Sequence, residues 1–548
     1  MGAVVLFLSE SAIASVKSFY KLRRAYQILA DIYNNSIDEN LGGQKLPEIH
    51  DEKGDIGESD NNDNDGEPTE DDSLEESLNA LDIDSSLEMV LEKNDGDLSA
   101  LTETELPPQP AQKFKPFGGR KVGNSNGTAA VTDDYIQSGV NLCFGLLQLV
   151  ISMIPPALGK ILSIIGFRGD RDTSIQMLWA ATASDNIHGA LALLTLLLYY
   201  TGPAQACDID PPESSFPKDR LMCVLARTRK RYPTSALWLL QEARMQGMNC
   251  NLQLSLTTLK TPMNVQMRQV EALVEFEKAM CYLDLHEFES AGETFIGLMN
   301  LNSWSHALYA YVAGVCYVEL YRAELRAENK DESKIAAYKK KAEDLLLTAP
   351  GLIGKRKIIG RAMPLELYLH RKVQKWKSWM PPASTNSSTT SVNIANASAQ
   401  PSIVDYIGIS PANEIIYFWN GYKRMPREAL EKSFRELNYH CRNTEYFEEQ
   451  AKHFPHIQDV DEMGVKFLLE SIVLRNMGYT EQGLKILESE VMHIDRNMVK
   501  GREDWIPPCG FYEREWLNKA AHYGHDYELN TRIGVRIQTG LEVLKSSA

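Results

Sequence analysis

Apolar positions recur at three- and four-residue steps over most of this chain, with polar residues between them. Residues 9–33 show the pattern first. Ile13, Val16, Tyr20, Leu22, Tyr26, Leu29 and Tyr33 form a stripe, and Lys17, Lys21, Arg23 and Arg24 take other positions. This spacing predicts an amphipathic helix that needs a partner surface, so residues 1–34 are read as a helix docking on the rest. From Asn34 to Lys113 the periodicity stops, and the stretch contains no aromatic residue. Asp, Glu, Asn, Gly and Ser dominate it, leaving too little apolar area to offset the entropy of ordering. Residues 35–112 are therefore expected to be a disordered acidic linker. Ser73-Leu-Glu-Glu76 and Ser85-Ser-Leu-Glu88 fit capping boxes there, and Leu74, Leu78 and Leu81 share one helical face, so a short helix that docks on a groove is the alternative.

Helical patterning resumes over 113–379. Two runs, 135–159 and 187–207, contain no charged residue, and each is long enough for a membrane-spanning reading. Pro155-Pro156 breaks the first, and the apolar core of the second extends only from Ala190 to Tyr200. Both are expected to be buried helices. Between Ala236 and Ala349 a repeat emerges. Ala243, Ala279 and Gly314 lie 36 and 35 residues apart, and Tyr282 and Tyr317 each follow by three. Ser255 and Ala291 come twelve after their small residue, with Phe295 four later. Small residues where two helices cross, with aromatics filling the gap, make the tetratricopeptide arrangement of antiparallel helix pairs. Gln246 stands where an aromatic is expected, and the third pair has a longer turn, Ala327 to Ser333, before a second helix around Ala336-Ala337. Residues 380–403 are rich in Ser, Thr and Asn and read as a linker. A C-terminal helical region of the same kind covers 404–548, with Gly478 in a turn and Gly483 at a close crossing within 468–487, and a final helix pair at 509–521 and 528–544. The predicted fold class is all-α: a tetratricopeptide-like helical array, or α-solenoid, with a long disordered acidic insertion.

Charge changes the picture in one place. The 548 residues carry a net charge of −17. Residues 36–106 alone hold 24 Asp and Glu against 3 Lys, so the remainder is close to neutral. No strongly basic domain exists, which disfavours nucleic acid as a partner. The eight cysteines are scattered singly, without Cys-x-x-Cys, as in a reduced cytosolic or nuclear protein.

The common nucleotide, hydrolase and zinc-protease motifs are absent. His453/His456 and His522/His525, with His440-Cys441 upstream, are the dense histidine placements, and no further ligand stands at compatible spacing. No catalytic, cofactor-binding or metal-ligating residue is therefore assigned, no cofactor is expected, and an enzyme is not. Gly166-Phe-Arg-Gly-Asp-Arg171 reads as an interhelical turn in which Asp170 caps the next helix. The basic stretch 355–377, with Lys355-Arg356-Lys357, Arg361, Arg371, Lys372, Lys375 and Lys377, reads as a solvated helix face, or else one that engages acidic lipid or the chain's own acidic segment.

Five stretches resemble the fungal inclusion-body clearance protein family, which is related to the animal tetratricopeptide-repeat protein 39 family. They are Glu10-Ser11 with Lys17-Ser-Phe19-Tyr20-Lys-Leu-Arg-Arg-Ala25-Tyr26; Ser138-Gly139-Val-Asn141-Leu-Cys-Phe144-Gly145 running on to Gly166–Arg171; Gly360-Arg-Ala-Met-Pro364-Leu-Glu366 with Arg371-Lys372; Glu414-Ile-Ile-Tyr417-Phe-Trp419-Asn420-Gly421; and Arg532-Ile-Gly-Val-Arg536-Ile. Family members carry further helical repeats before the Phe-Tyr-Lys-Leu-Arg helix, which here starts close to Met1, so a shortened chain is expected. The resemblance implies a non-enzymatic protein of cytoplasm and nucleus that helps clear inclusion bodies after folding stress, in contact with lipid-droplet and inclusion-body proteins. It supplies no catalytic residues. The alternative is a membrane-associated or lipid-binding helical protein, for example at the mitochondrial outer membrane. Peptide recognition is expected on the first helices of the pairs, near Tyr282 and Tyr317, with Lys278 as an exposed neighbour.

Overall fold

The computed structural model describes residues 24–30, 127–153, 169–205, 217–354, 357–358, 361–362, 364–380, 402–438, 459–499, 501–514 and 536–537. The acidic segment 35–112, the Pro155-Pro156 break, most of the 380–403 linker, the histidine pairs and most of the last expected helix lie outside them. Contacts divide the chain into two units, Met1–Leu196 and Leu197–Ala548.

In the first unit, α1 (Gly127–Ser152) packs against α2 (Arg171–Ala181), and α3 (Ile187–Thr201) begins. Gly145 permits the close crossing, since a Cβ there would stand 3.1 Å from the Ser174 carbonyl oxygen. Phe144 is fully buried, and the edge of its ring meets Tyr26 from the stretch 24–30 at 5.6 Å. Tyr26 belongs to the N-terminal stripe, whose remaining residues outside 24–30 are not among those described. Asp170 caps α2 as its sequence predicts, accepting from the amides of Asp172 and Thr173, while its own amide donates to Gln148 Oε1 at 2.9 Å.

The two uncharged runs differ. The described residues of the first bury most of their apolar side chains, including Leu147, Leu149 and Ile151. The second, continuing to Gln205, has only 33% of its span buried. Ile187, Leu191 and Leu198 are exposed along one side of α3. The expectation of a fully buried helix is therefore corrected for 187–205. Both helices are long and apolar enough to cross a membrane.

The second unit opens with α4 (Lys218–Arg231) and continues as antiparallel helix pairs: α5 (Ala236–Met248) with α6 (Leu252–Leu259), α7 (Arg268–Asp284) with α8 (Phe288–Leu301), and α9 (His306–Arg326) with α10 (Glu332–Thr348). The small residues sit where the period places them. Ala243, Ala279, Ser255 and Ala291 are fully buried, and a Cβ on Gly314 would stand 2.9 Å from the Leu346 side chain. The turns repeat as well: Cys250 and His286, 36 residues apart, both adopt left-handed φ, at 57° and 61°. Gln246 replaces the missing aromatic by a hydrogen bond, as Thr258 Oγ1 donates to its Oε1 at 2.8 Å. In the third pair the crossing on α10 is made by Ala342 and Leu346; Ala336 and Ala337 are exposed, one to two turns before it.

A two-residue hairpin, β1 (Lys357–Ile358) with β2 (Arg361–Ala362), precedes α11 (Pro364–Trp379). A 3-10 turn at Ile403–Tyr406 then leads into α12 (Pro411–Phe418), a second 3-10 turn (Gly421–Arg424) and α13 (Arg427–Leu437). The last described helices are α14 (Val460–Asn476), α15 (Thr480–Ile486) with a π-type continuation to Val491, α16 (Arg496–Val499) and α17 (Ile506–Glu513). Gly478 takes φ 88° in the turn between α14 and α15, and a Cβ on Gly483 would lie 2.6 Å from the Ser471 carbonyl oxygen. All eight residues of α12 are buried. Around it Tyr368 meets Phe418 edge-on at 5.1 Å, and Tyr417 stacks on Trp505 at 6.0 Å. One apolar core joins the later helix pairs, α11, α12 and α14.

Candidate interaction surface

The first helices of the pairs carry charged residues on one side: Arg244 on α5, with Gly247 a turn later; Glu277 and Asp284 on α7, with Cys281 between them; Glu319 and Arg322 on α9. In a helical-pair array such a face is suited to holding a polypeptide. Here the chain's own segment 403–437 lies on it. Arg424 reaches Glu277 at 2.8 Å, and Arg244 holds the other oxygen of that carboxylate at 3.0 Å. Gly247 admits the Arg424 guanidinium, which would stand 3.0 Å from a Cβ at this position. Arg322 donates to the carbonyl oxygens of Ile407 and Gly408 at 2.7 and 2.8 Å. Lys339 pairs with Asp405 at 2.7 Å. His286, in its left-handed turn, places Nδ1 2.9 Å from Glu436 and Nε2 2.9 Å from Ser433.

Burial raises the Glu277 carboxyl, but Arg424 and Arg244 outweigh it and hold the group below its usual range. Asp284 differs. Its oxygens are buried without a hydrogen bond, and Arg424 Nε is 3.9 Å away. Burial therefore dominates and pushes this carboxyl up to about 7.

The expected recognition residues sit elsewhere. Tyr317 is buried and donates to Glu293, with Lys341 over its ring at 4.4 Å; Tyr282 is half-buried beneath Lys260. Lys278 is half-buried rather than exposed and pairs with Glu275 at 2.7 Å. The polar face of these helices is covered by residues 403–437.

The basic stretch is corrected too. Lys372 and Lys375, one turn apart on α11, point inward. Lys372 Nζ stands 2.8 Å from Glu414 and 3.0 Å from Glu503. Lys375 Nζ stands 2.7 Å from Asp461, 2.5 Å from Glu462 and 3.4 Å from Glu503. Arg371 and Arg502 close the network on Glu503 and Asp461. Burial disfavours both ammonium charges, yet the carboxylates hold the two lysines above their usual range. Burial likewise opposes the charge on Glu503, but Arg371, Lys372 and Lys375 prevail and hold it well below the usual range. At Glu414 burial wins, and its carboxyl rises to about 7. Asp461, Glu462 and Glu503 bring oxygens within 4.8 Å of one another, a donor set suited to a hard cation. Lys375 is seated among those oxygens and supplies the positive charge itself.

This cluster escaped the sequence reading because each acid lies 42 to 131 residues from the lysine it pairs with. The signal available was local: Lys372 and Lys375 alternate with Tyr368, Leu369, Val373 and Trp376, all buried, on an apolar helix face. Lysines set in such a face need carboxylate partners.

The chain is 36% identical to the inclusion body clearance protein IML2 of Yarrowia lipolytica, over 100% of this chain and 80% of that protein. It is 31% identical to the protein of that name in Aspergillus terreus, over 99% of this chain and 80% of the relative. With the Kluyveromyces lactis IML2 protein the identity is 37% over 77% of this chain, which spans 62% of the relative's length. No solved structure matches the chain significantly. The family described as Iml2/Tetratricopeptide repeat protein 39 matches residues 1–477, and the chain belongs to it.

Proposed function

We propose that this protein is a non-enzymatic interaction scaffold that takes part in the clearance of protein inclusion bodies after folding stress, through contacts with lipid-droplet and inclusion-body proteins in cytoplasm and nucleus. The observation that carries the reading is family membership together with relatives named for inclusion body clearance. The helical pairs support the scaffold part, since such arrays present extended surfaces to other polypeptides. The test is clearance of a fluorescent aggregation reporter after heat stress, in cells lacking the protein and in cells with it restored. Slower clearance that restoration corrects is expected. Clearance at the normal rate without the protein overturns the reading.

A second reading, association with a lipid surface, is favoured by α3. Its exposed Ile187, Leu191 and Leu198 form an uncharged strip on a helix of mean hydropathy 1.3. Alkaline carbonate extraction of membranes separates the two readings, because an inserted protein stays in the pellet.

A further inference from the structure

Helix α4 carries Lys218, Arg220, Arg227, Arg229, Lys230 and Arg231 against a single acid, Asp219. Leu221 and Leu225 are its buried residues and fix which side faces inward. Arg229 is spent on structure: it pairs with Glu242 at 2.6 Å and donates to the carbonyl oxygens of Tyr232 and Pro233. Lys218, Arg227 and Lys230 are exposed, as are Met222 and Tyr232, and Arg231 lies over the Tyr232 ring at 5.6 Å.

We propose that the outward side of α4 docks on a bilayer bearing anionic phospholipid headgroups. This shares with the second reading above only the premise that the protein meets a lipid surface, and assigns that contact to a different helix and to charge. An exposed helix side is convex and offers a polypeptide no groove, whereas a plane of headgroups needs none. Each outward cation gains roughly fivefold in partitioning from the negative surface potential. Met222 and Tyr232 add apolar contact at the headgroup layer, where amphipathic side chains are favoured. An acidic polypeptide or a nucleic acid would share the charge attraction without using that apolar contact.

The test is vesicle flotation with the full chain at physiological salt. Vesicles of phosphatidylcholine alone are compared with vesicles containing about one-third phosphatidylserine. Binding is expected to the anionic vesicles only. Arg227→Glu with Lys230→Glu is expected to weaken it at least tenfold at an unchanged melting temperature, and Met222→Ser to weaken it less. Binding to both kinds of vesicle that Leu191→Gln with Leu198→Gln abolishes would sustain the α3 reading and overturn this one. Binding to neither overturns both. Anionic-vesicle binding that survives the α4 double charge reversal, or capture of polyglutamate or RNA instead of vesicles, overturns the proposal for α4.

Discussion

Arg424 and Glu277 stand 2.8 Å apart although 147 residues separate them in sequence. With Arg244 on the other oxygen, Glu277 joins α5 and α7 to the segment that covers them. Glu277→Ala leaves two guanidinium groups facing each other with their shared carboxylate gone. Breaking a buried charge network in this way costs about 3 kcal/mol. Urea denaturation of the variant and the parent measures it, and a difference below half that figure would contradict the assignment.

Asp284 gives that seam a pH dependence. Burial lifts its carboxyl to about 7, opposed by Arg424 and His286 and reinforced by Glu277, whereas an unfolded aspartate titrates near 3.9. The folded state therefore binds the extra proton, and this group's contribution to stability is full below about pH 4 and is lost as pH rises through about 7. Asp284→Asn mimics the protonated form. The variant should exceed the parent in stability by a small margin at about pH 5 and by a larger one at about pH 8, as read from melting temperatures across that range. A stability difference that does not change with pH would show that Asp284 is ionised throughout.

Two helical glycines are expected to respond with opposite sign. At Gly483 a Cβ would lie 2.6 Å from the Ser471 carbonyl oxygen, so Gly483→Ala should destabilise by about 1–3 kcal/mol despite the better helix propensity of alanine. At Gly297 a Cβ meets nothing within 4 Å, and Gly297→Ala should stabilise by about 0.5–1 kcal/mol. Thermal melts of the two variants, made side by side, check both signs.

The contacts of segment 403–437 also predict the outcome of cutting the chain. A protease site inserted between residues 385 and 398, then cleaved in the folded protein, should leave two pieces that elute together in gel filtration. Their separation under native conditions would mean that Arg322, Lys339 and Arg424 do not hold the segment as strongly as their geometry implies.

The helical pairs were legible because each depends on residues about 36 apart or closer. Ala243, Ala279 and Gly314 mark crossings by size alone, and Asp170 and Gly478 mark a start and a turn by backbone chemistry that acts within a few residues. Ala336-Ala337 marked the second helix of the third pair, which does run through them, while the crossing on that helix uses Ala342 one turn and a half later. The occupied face and the Lys372–Lys375 cluster were not legible, since nothing near a buried lysine in sequence names the distant acid that pairs with it. The family resemblance was readable at short motifs whose roles the structure supplies in part: Phe144 and Gly145 pack α1 on its neighbours, and Glu414 meets Lys372.

The covering of α5, α7 and α9 by residues 403–437 has a consequence for synthesis. In a simple repeat array each pair packs on the one before it, and the growing chain can fold as it leaves the ribosome. Here the polar face of three pairs waits for a segment translated on the order of 5–20 s later at ordinary elongation rates. Buried charges such as Glu277 and Asp284 lack their partner Arg424 throughout that interval. Ribosome pausing after α10 should therefore lengthen the time in which this protein itself needs a chaperone.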